Sequence, residues 1–324
     1  MNRFFVGLAC AVLLVAPARR ASAQAAAPRL ELRSGDRVIF LGNTLAERMQ
    51  QFNNFETRLM VRFADLDLTV RNLGWSADTI TLQPRPLKFG DATSHLTEQQ
   101  ADVILAFFGL NESFDGEAGL PKFEQDLDAY LKAHLAKQYN GKTPPRLALV
   151  SPIAHEKLAR LTHVDVDARN RELARYTEAM RRVAARNNVA FADLYTPTKK
   201  AMEAASTPLT INGIHLNEHG DRIVAGLLMA ALGFEEAGAA APKAAANTKA
   251  VEALRKSIDE KNQQFFFRFR PVNGEYVMGR RFEPFGSVNF PPEMKELDKI
   301  VGERDRHIWK QAHALKGQVF WSGL

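Results

Sequence analysis

Residues 37–45 read RVIFLGNTL, an apolar run that ends in Gly-Asn-Thr. The run is short and almost continuously apolar, which is typical of a strand covered on both faces. Five such runs occur, at Arg37–Leu41, Leu68–Leu73, Asp102–Phe108, Arg146–Ser151 and Val189–Leu194. Helical patterns separate them, so the sequence predicts an α/β fold with a doubly wound, mostly parallel sheet.

Apolar residues three and four positions apart predict the helices between the strands. One pattern runs from Met49 to Phe63 and another from Leu173 to Val183. A last helix over 221–232 would close the α/β domain near residue 234. The domain is therefore expected to span residues 24–234.

The first 23 residues resemble an export signal. A positive start at Arg3 precedes an apolar stretch over 4–16, and small residues at 21–23 (ASA) precede Gln24. The stretch is too short for a stable membrane anchor. We therefore expect an exported protein, periplasmic or extracellular, without a membrane span in the mature chain. A lipoprotein leader ending before Cys10 and a buried N-terminal helix are the alternatives.

The amino-acid composition and charge exclude several classes of protein. The chain of 324 residues is 46% hydrophobic and 25% charged, which excludes disorder, collagen-like repeats and coiled coil as descriptions of the whole. The formal charge is +6, and three of those charges are arginines of the export signal. The remainder is too weakly basic to predict a nucleic-acid partner. Cys10 is the only cysteine, so disulfides within the chain and cysteine metal sites are excluded.

The C-terminal quarter differs in character from the rest. Residues 235–249 (EEAGAAAPKAAANTK) predict a linker. Residues 250–324 hold 11 of the chain's 29 aromatic residues, more than about 75 residues can bury alone. We expect this extension to dock on the α/β domain or on a second copy of the chain. The second alternative would make the protein a homo-oligomer.

Three segments that could carry chemistry follow predicted strands, where open α/β sheets place their sites. They are residues 42–44 (GNT), 72–74 (NLG) and 109–111 (GLN). The first would set a hydroxyl at a helix N-terminus, and the other two could direct N–H groups at an oxyanion. Each also has a routine explanation, because Asn and Thr cap helices and Gly and Asn occupy turns.

A fourth segment, residues 212–215 (NGIH), precedes the last predicted helix. His215 could act as a general base near pH 7, with Asn212 orienting its ring. A histidine with only a structural hydrogen bond is the simpler alternative. His215 and His219 are spaced four apart, as in some zinc sites, but no Glu follows His215 and no third ligand is evident. We therefore predict no metal and no cofactor.

The order of these four segments resembles the SGNH (GDSL) hydrolase family. The resemblance covers roughly residues 30–234. It implies a flavodoxin-like three-layer α/β/α fold and hydrolysis of esters, often acyl or acetyl groups on lipids or carbohydrates. It also implies that Thr44, Gly74 and Asn111 form the oxyanion hole, and that Thr44, His215 and Asn212 are the catalytic residues.

Two positions depart from the family pattern. The family reads Gly-Asp-Ser where this chain has Gly-Asn-Thr, and Asp-x-x-His where it has Asn-x-x-His. The extra methyl group of Thr44 restricts its χ1 angle. Asn212 has no charge to stabilise an imidazolium and can donate to the ring, which selects the wrong tautomer. In serine proteases the same Asp-to-Asn change lowers turnover about 10⁴-fold.

Two functions are consistent with these residues. The first is an exported carboxylic ester hydrolase, with Thr44 as nucleophile, that acts on an ester of a carbohydrate or similar small polar substrate. The second is a catalytically degenerate member of the family that binds a glycan or a protein partner. The predicted substrate contacts are Asn43, His155, Glu156 and Tyr276. An Arg from the segment 268–281 could also lie near the substrate if the extension covers the cleft.

Overall fold

One five-stranded parallel sheet forms the centre of the molecule. The structure, a computed structural model, describes residues 28–86, 89–235, 239–242, 248–270, 282–283, 286, 288–318 and 321–323. The strands are β1 (Arg37–Gly42), β2 (Thr69–Asn72), β3 (Val103–Phe107), β4 (Arg146–Val150) and β5 (Ala190–Ala192). Their order is β2-β1-β3-β4-β5, and each neighbouring pair is parallel. The predicted parallel sheet is thereby confirmed.

Seven helices of the α/β domain connect and cover the strands. They are α1 (Thr44–Arg48), α2 (Asn54–Arg62), α3 (Ala92–Glu98), α4 (Gly116–Leu135), α5 (Val166–Arg186), α6 (Tyr195–Ala204) and α7 (Glu218–Ala231). Apolar residues of α1, α2 and α7 pack on one face of the sheet, and those of α3, α4 and α5 pack on the other. This is the expected three-layer arrangement.

The helix predicted over Met49–Phe63 is in fact interrupted. After α1, a 3₁₀ turn covers Met49–Gln51, and Asn53 adopts a left-handed conformation with φ of 58° before α2 begins. Asparagine tolerates this conformation, and here its amide donates to the Gln50 carbonyl at 2.9 Å. The last helix of the domain begins at Glu218, three residues early, because Asn217 caps it.

The two-sided burial explains the apolar runs. Val38 and Phe40 of β1 face one core, while Ile39 and Leu41 face the other. Strand order reverses between β1 and β3, since the chain moves outward to β2 on one side and to β4 on the other. Open α/β sheets bind ligands at the carboxyl edge beside such a reversal.

Two long helices follow the α/β domain, α8 (Thr248–Phe269) and α9 (Phe290–Leu315). A short antiparallel pair, β6 (Ala239–Pro242) with β7 (Trp321–Gly323), accompanies them. β6 falls within the segment predicted as a linker. The rest of that linker, apart from Glu235, Thr248 and Lys249, and the export signal lie outside the described residues.

The helices α8 and α9 pack along the outer edge of β2. The Lys261 ammonium donates to the Val70 carbonyl at 3.1 Å, and the Trp309 indole donates to the Leu68 carbonyl at 2.8 Å. These helices therefore give partners to backbone groups that an edge strand would leave exposed. Phe265 and Phe269 of α8 are buried, whereas Phe267 between them is 45% exposed.

Among the described residues, every helix is too short or too polar to cross a membrane.

Candidate active site

The hydroxyl of Thr44 lies at the first residue of α1, directly after β1. Asn43 caps this helix, because its side-chain oxygen accepts the Leu45 N–H at 3.1 Å. Asn43 is only 2% exposed, so its side chain serves the helix start, and its predicted substrate contact stays untested. The Thr44 hydroxyl oxygen accepts the Ala77 N–H at 3.2 Å. The loop after β2 therefore reaches the candidate nucleophile.

Gly74 is required at its position because α1 passes close by. A Cβ atom there would lie 2.4 Å from the Glu47 nitrogen, so a side chain would collide with the helix backbone. The Gly74 N–H donates to the Asn72 side-chain oxygen at 2.9 Å, and the Asn72 amide donates to the Ala46 carbonyl. In this state the candidate oxyanion donor is already hydrogen-bonded.

Asn111 reaches the same loop from the end of β3. Its amide donates to the Asp78 carbonyl at 2.9 Å. The next residue, Glu112, accepts the N–H groups of Ile80 at 3.0 Å and Gly109 at 2.8 Å. Burial raises the pKa of the Glu112 carboxyl. The loop over residues 74–80, hereafter the β2 loop, is thus tied to both neighbouring strand ends.

Asn212 and His215 are hydrogen-bonded, as the sequence predicts. The Asn212 amide donates to the ring, which is the reverse of the direction that a general base needs. The Asn212 side-chain oxygen accepts the His215 backbone N–H at 2.9 Å, which turns the amide nitrogen toward His215 Nδ1 at 3.1 Å. Nδ1 must then accept, so a neutral ring carries its proton on Nε2. A general base acting through Nε2 needs the opposite tautomer.

His215 lies against α1, the helix that begins at Thr44. It lines a small crevice together with Leu45 and Arg48, and Arg48 also donates to the Leu216 carbonyl at 3.4 Å. Burial, and then the Arg48 cation, lower the pKa of His215. Both effects favour the neutral ring, the form that a general base requires.

Glu156 supports the loop that carries His215. Its carboxylate accepts the backbone N–H groups of Leu209 at 2.8 Å and Thr210 at 2.7 Å, together with the Thr210 hydroxyl. The same hydroxyl oxygen accepts the Gly213 N–H at 2.9 Å. Glu156 is buried, so these contacts occupy its oxygens and give it a positioning role, whereas its predicted substrate contact stays untested.

His155 packs its ring directly on this loop. A Cβ atom at Gly213, where φ is +93°, would lie 2.5 Å from His155 Nε2, so only glycine fits there. That nitrogen is buried without a partner among the described residues. Burial, and then the Arg169 cation, lower the pKa of His155. A substrate contact by His155 stays a prediction.

Four further side chains form a cluster near Thr44. Glu47 on α1 pairs with Arg270 at 2.9 Å and accepts the hydroxyl of Ser76 from the β2 loop. The Arg270 guanidinium lies over the Trp75 ring, 3.5 Å from its centre. Arg270, at the end of α8, belongs to the segment 268–281 from which an Arg was expected near the substrate, whereas Glu47 was not predicted although it lies only three residues after Thr44.

The residues predicted from the C-terminal extension were Tyr276 and an Arg from the segment 268–281. Tyr276 lies outside the described residues. Arg268 pairs with Glu98 of α3 and Asp298 of α9, while Arg270 pairs with Glu47 in the candidate site. Across the described parts of the chain, no group of three or more His, Cys, Asp or Glu side chains is arranged to hold a metal ion.

Comparison with known proteins identifies the class. The model of the GDSL-like Lipase/Acylhydrolase family matches residues 40–223, more than half of the chain. No curated protein matches the sequence. The fold and this match define a carboxylic ester hydrolase of the SGNH type. The chain belongs to the GDSL-like lipase/acylhydrolase family.

Several solved structures align with this chain at low sequence identity. A gut microbial diltiazem-metabolizing enzyme aligns over 91% of this chain and 98% of its own, with a TM-score of 0.63 and 13% identity. A protein described as a GDSL-like lipase from Parabacteroides merdae covers 64% of this chain and all of its own, with a TM-score of 0.51 and 20% identity. An acetylxylan esterase from Geobacillus stearothermophilus covers 64% of this chain and 98% of its own, with a TM-score of 0.47 and 17% identity.

Proposed function

We propose that this chain is an exported hydrolase that cleaves esters of carbohydrates or similar small polar alcohols. Thr44 is the nucleophile and His215 the general base. One observation carries the proposal: the β2 loop contains Gly74, donates to the Thr44 hydroxyl and accepts from the Asn111 amide. The nucleophile and both oxyanion donors are thus grouped around a single loop.

The reaction follows the general course of acyl transfer through a hydroxyl. Thr44 Oγ attacks the ester carbonyl carbon, and its proton passes to His215 Nε2. The oxyanion accepts N–H groups from Gly74 and Asn111. Collapse expels the alcohol, which takes the proton from His215. A water molecule, deprotonated by His215, then attacks the acyl-threonine; the carboxylic acid is released and Thr44 Oγ takes the proton back from His215.

The described state is not yet arranged for this reaction. The Gly74 N–H and one Asn111 proton are engaged by Asn72 and the Asp78 carbonyl. His215 carries its proton on the nitrogen that must receive one. Substrate binding must therefore release the donors, and a minor tautomer must react. Both requirements predict slow turnover.

The Asn212 contact also favours a second candidate, a protein that binds a glycan or a partner in the same cleft without hydrolysis. An amide donor at His215 Nδ1 stabilises the tautomer that cannot act as a base at Nε2. Such a protein would keep the cleft and lack the reaction.

Hydrolysis of p-nitrophenyl acetate by the chain beginning at Gln24 separates the two candidates. We expect slow but measurable turnover that Thr44→Ala reduces to the buffer rate. Thr196→Ala is the matched control, since Thr196 is an exposed threonine in the first turn of α6, and it should retain the wild-type rate. If folded wild-type protein does not exceed the buffer rate, the hydrolase proposal is wrong and the binding function is favoured.

Export rests on the N-terminal sequence alone. Expression of the full chain in a Gram-negative host should yield a periplasmic or secreted product that begins at Gln24. A cytoplasmic product that still begins at Met1 would contradict it.

A further inference from the structure

A cavity of about 410 Å³ lies between the start of the α/β domain and α8. Three glutamines line it: Gln50 and Gln51 from the 3₁₀ turn after α1, and Gln263 from α8. Their side-chain amides make no hydrogen bond within the described part of the chain. Each amide can both donate and accept. The volume falls within the range of small-molecule sites.

Two aromatic rings border the same cavity. Phe266 and Phe267 of α8 lie 6.4 Å apart with their planes inclined by 63°. Phe267 is 45% exposed, although it stands among buried phenylalanines of the same helix. A pyranose has an apolar C–H face and a rim of hydroxyl groups that both donate and accept. The exposed Phe267 ring and the half-buried Phe266 ring, beside amides without protein partners, match both parts of that ligand.

The charges around the cavity disfavour an anionic ligand. Glu47 and Asp259 contribute carboxylates to its lining. Glu47 is occupied by Arg270 and Ser76, and Asp259 accepts the Asn53 amide at 3.0 Å. The cavity therefore has free neutral amides and no lining cation. A neutral polyhydroxylated ligand fits this combination better than a phosphate or carboxylate.

Glu47 joins this cavity to the candidate active site. It lies on α1 three residues after Thr44, and its carboxylate holds Ser76 of the β2 loop. We propose that the cavity between α1 and α8 is a carbohydrate subsite. It holds the sugar of an ester whose acyl group reaches Thr44. This inference rests on the proposed hydrolase function for the role of the bound sugar, but not for binding itself.

Binding of unesterified sugars tests the subsite without the reaction. Calorimetric titration of the chain from Gln24 with xylotriose and with cellotriose should show saturable binding of at least one. Gln263→Leu and Phe267→Ala should each weaken that binding about tenfold. Gln264→Leu is the matched control, because Gln264 lies on the same helix outside the cavity lining and should leave the affinity unchanged.

The outcomes separate the subsite from the hydrolase proposal. Thr44→Ala should bind the sugar as the wild type does, even though it lacks the proposed nucleophile. If neither trisaccharide binds, or if Gln264→Leu weakens binding as much as Gln263→Leu does, the subsite is overturned. If the protein binds the sugar but does not hydrolyse p-nitrophenyl acetate, the subsite proposal is supported and the hydrolase proposal is wrong. Xylotriose binding that glucuronic acid competes away at equal concentration would contradict the preference for neutral ligands.

Discussion

At the scale of single residues, the side chain at position 212 limits the rate that His215 can support as a general base. Asn212→Asp replaces an amide donor with a carboxylate that accepts from His215 Nδ1 and leaves Nε2 free to take a proton. We expect kcat for p-nitrophenyl acetate to rise about 100-fold or more. Thr44→Ser removes the restricting methyl group, and the double variant should exceed the sum of the single free-energy gains.

The pH profile provides an independent check of Asn212→Asp. In the wild type, burial and Arg48 lower the pKa of His215, so the neutral ring persists to lower pH than in a free histidine. A carboxylate at position 212 raises that pKa, and the acidic limb of kcat/KM should move to higher pH. Asn188→Asp is the control, because Asn188 is exposed just before the amino end of β5, at the opposite edge of the sheet, and the limb should not shift. A folded Asn212→Asp variant with no gain in rate and an unmoved limb would refute the base role of His215.

At the scale of secondary-structure elements, a buried ion pair joins α8 to α2. The Lys261 ammonium contacts the Glu56 carboxylate at 2.6 Å, and both side chains are buried. Lys261→Met would leave the carboxylate without its cation, although Asn262 still donates to it. We expect the free energy of unfolding to fall by about 3–5 kcal/mol in urea titrations.

An exposed pair serves as the comparison for that variant. Lys199→Ala removes the partner of Glu203 on α6, and the loss should stay below about 1 kcal/mol. Restoring charge balance with Lys261→Met and Glu56→Leu together should recover part of the stability. Equal effects of Lys261→Met and Lys199→Ala would show that α8 is not held to the domain by this contact.

At the scale of the whole molecule, helices α8 and α9 of the extension pack against the α/β domain and cover its edge strand β2. Truncation after Ala237 removes the donors to the Leu68 and Val70 carbonyls and uncovers apolar residues of both cores. It also removes Arg270 from the candidate site. We expect aggregation or a lower Tm, measured by light scattering and thermal melting.

A shorter truncation provides the control for the extension. Ending the chain after Gln318 keeps α8 and α9 and should leave the Tm within a few degrees of the wild type. A chain ending at Ala237 that stays monomeric and melts at the wild-type temperature would show that the extension is dispensable. Light scattering of the intact chain also tests the predicted homo-oligomer.

The amino-acid sequence by itself determined the five strands, their parallel arrangement and the four segments at the carboxyl edge. It could do so because strands buried on both faces need apolar runs, and because short motifs follow strand ends directly. The break at Asn53 escaped prediction, since the helical spacing of apolar residues continues through it.

Only the tertiary structure decided how those segments are used. The Glu47–Arg270 pair joins residues 223 positions apart, and no local spacing encodes such a contact. The contact between the Asn111 amide and the Asp78 carbonyl joins residues 33 positions apart in the same way. The bonds between Gly74 and Asn72 and between Asn212 and His215, by contrast, are local and span two and three residues. Hydrogen bonds between distant segments form only once the sheet has brought the strand ends together, so they cannot be read from the order of residues.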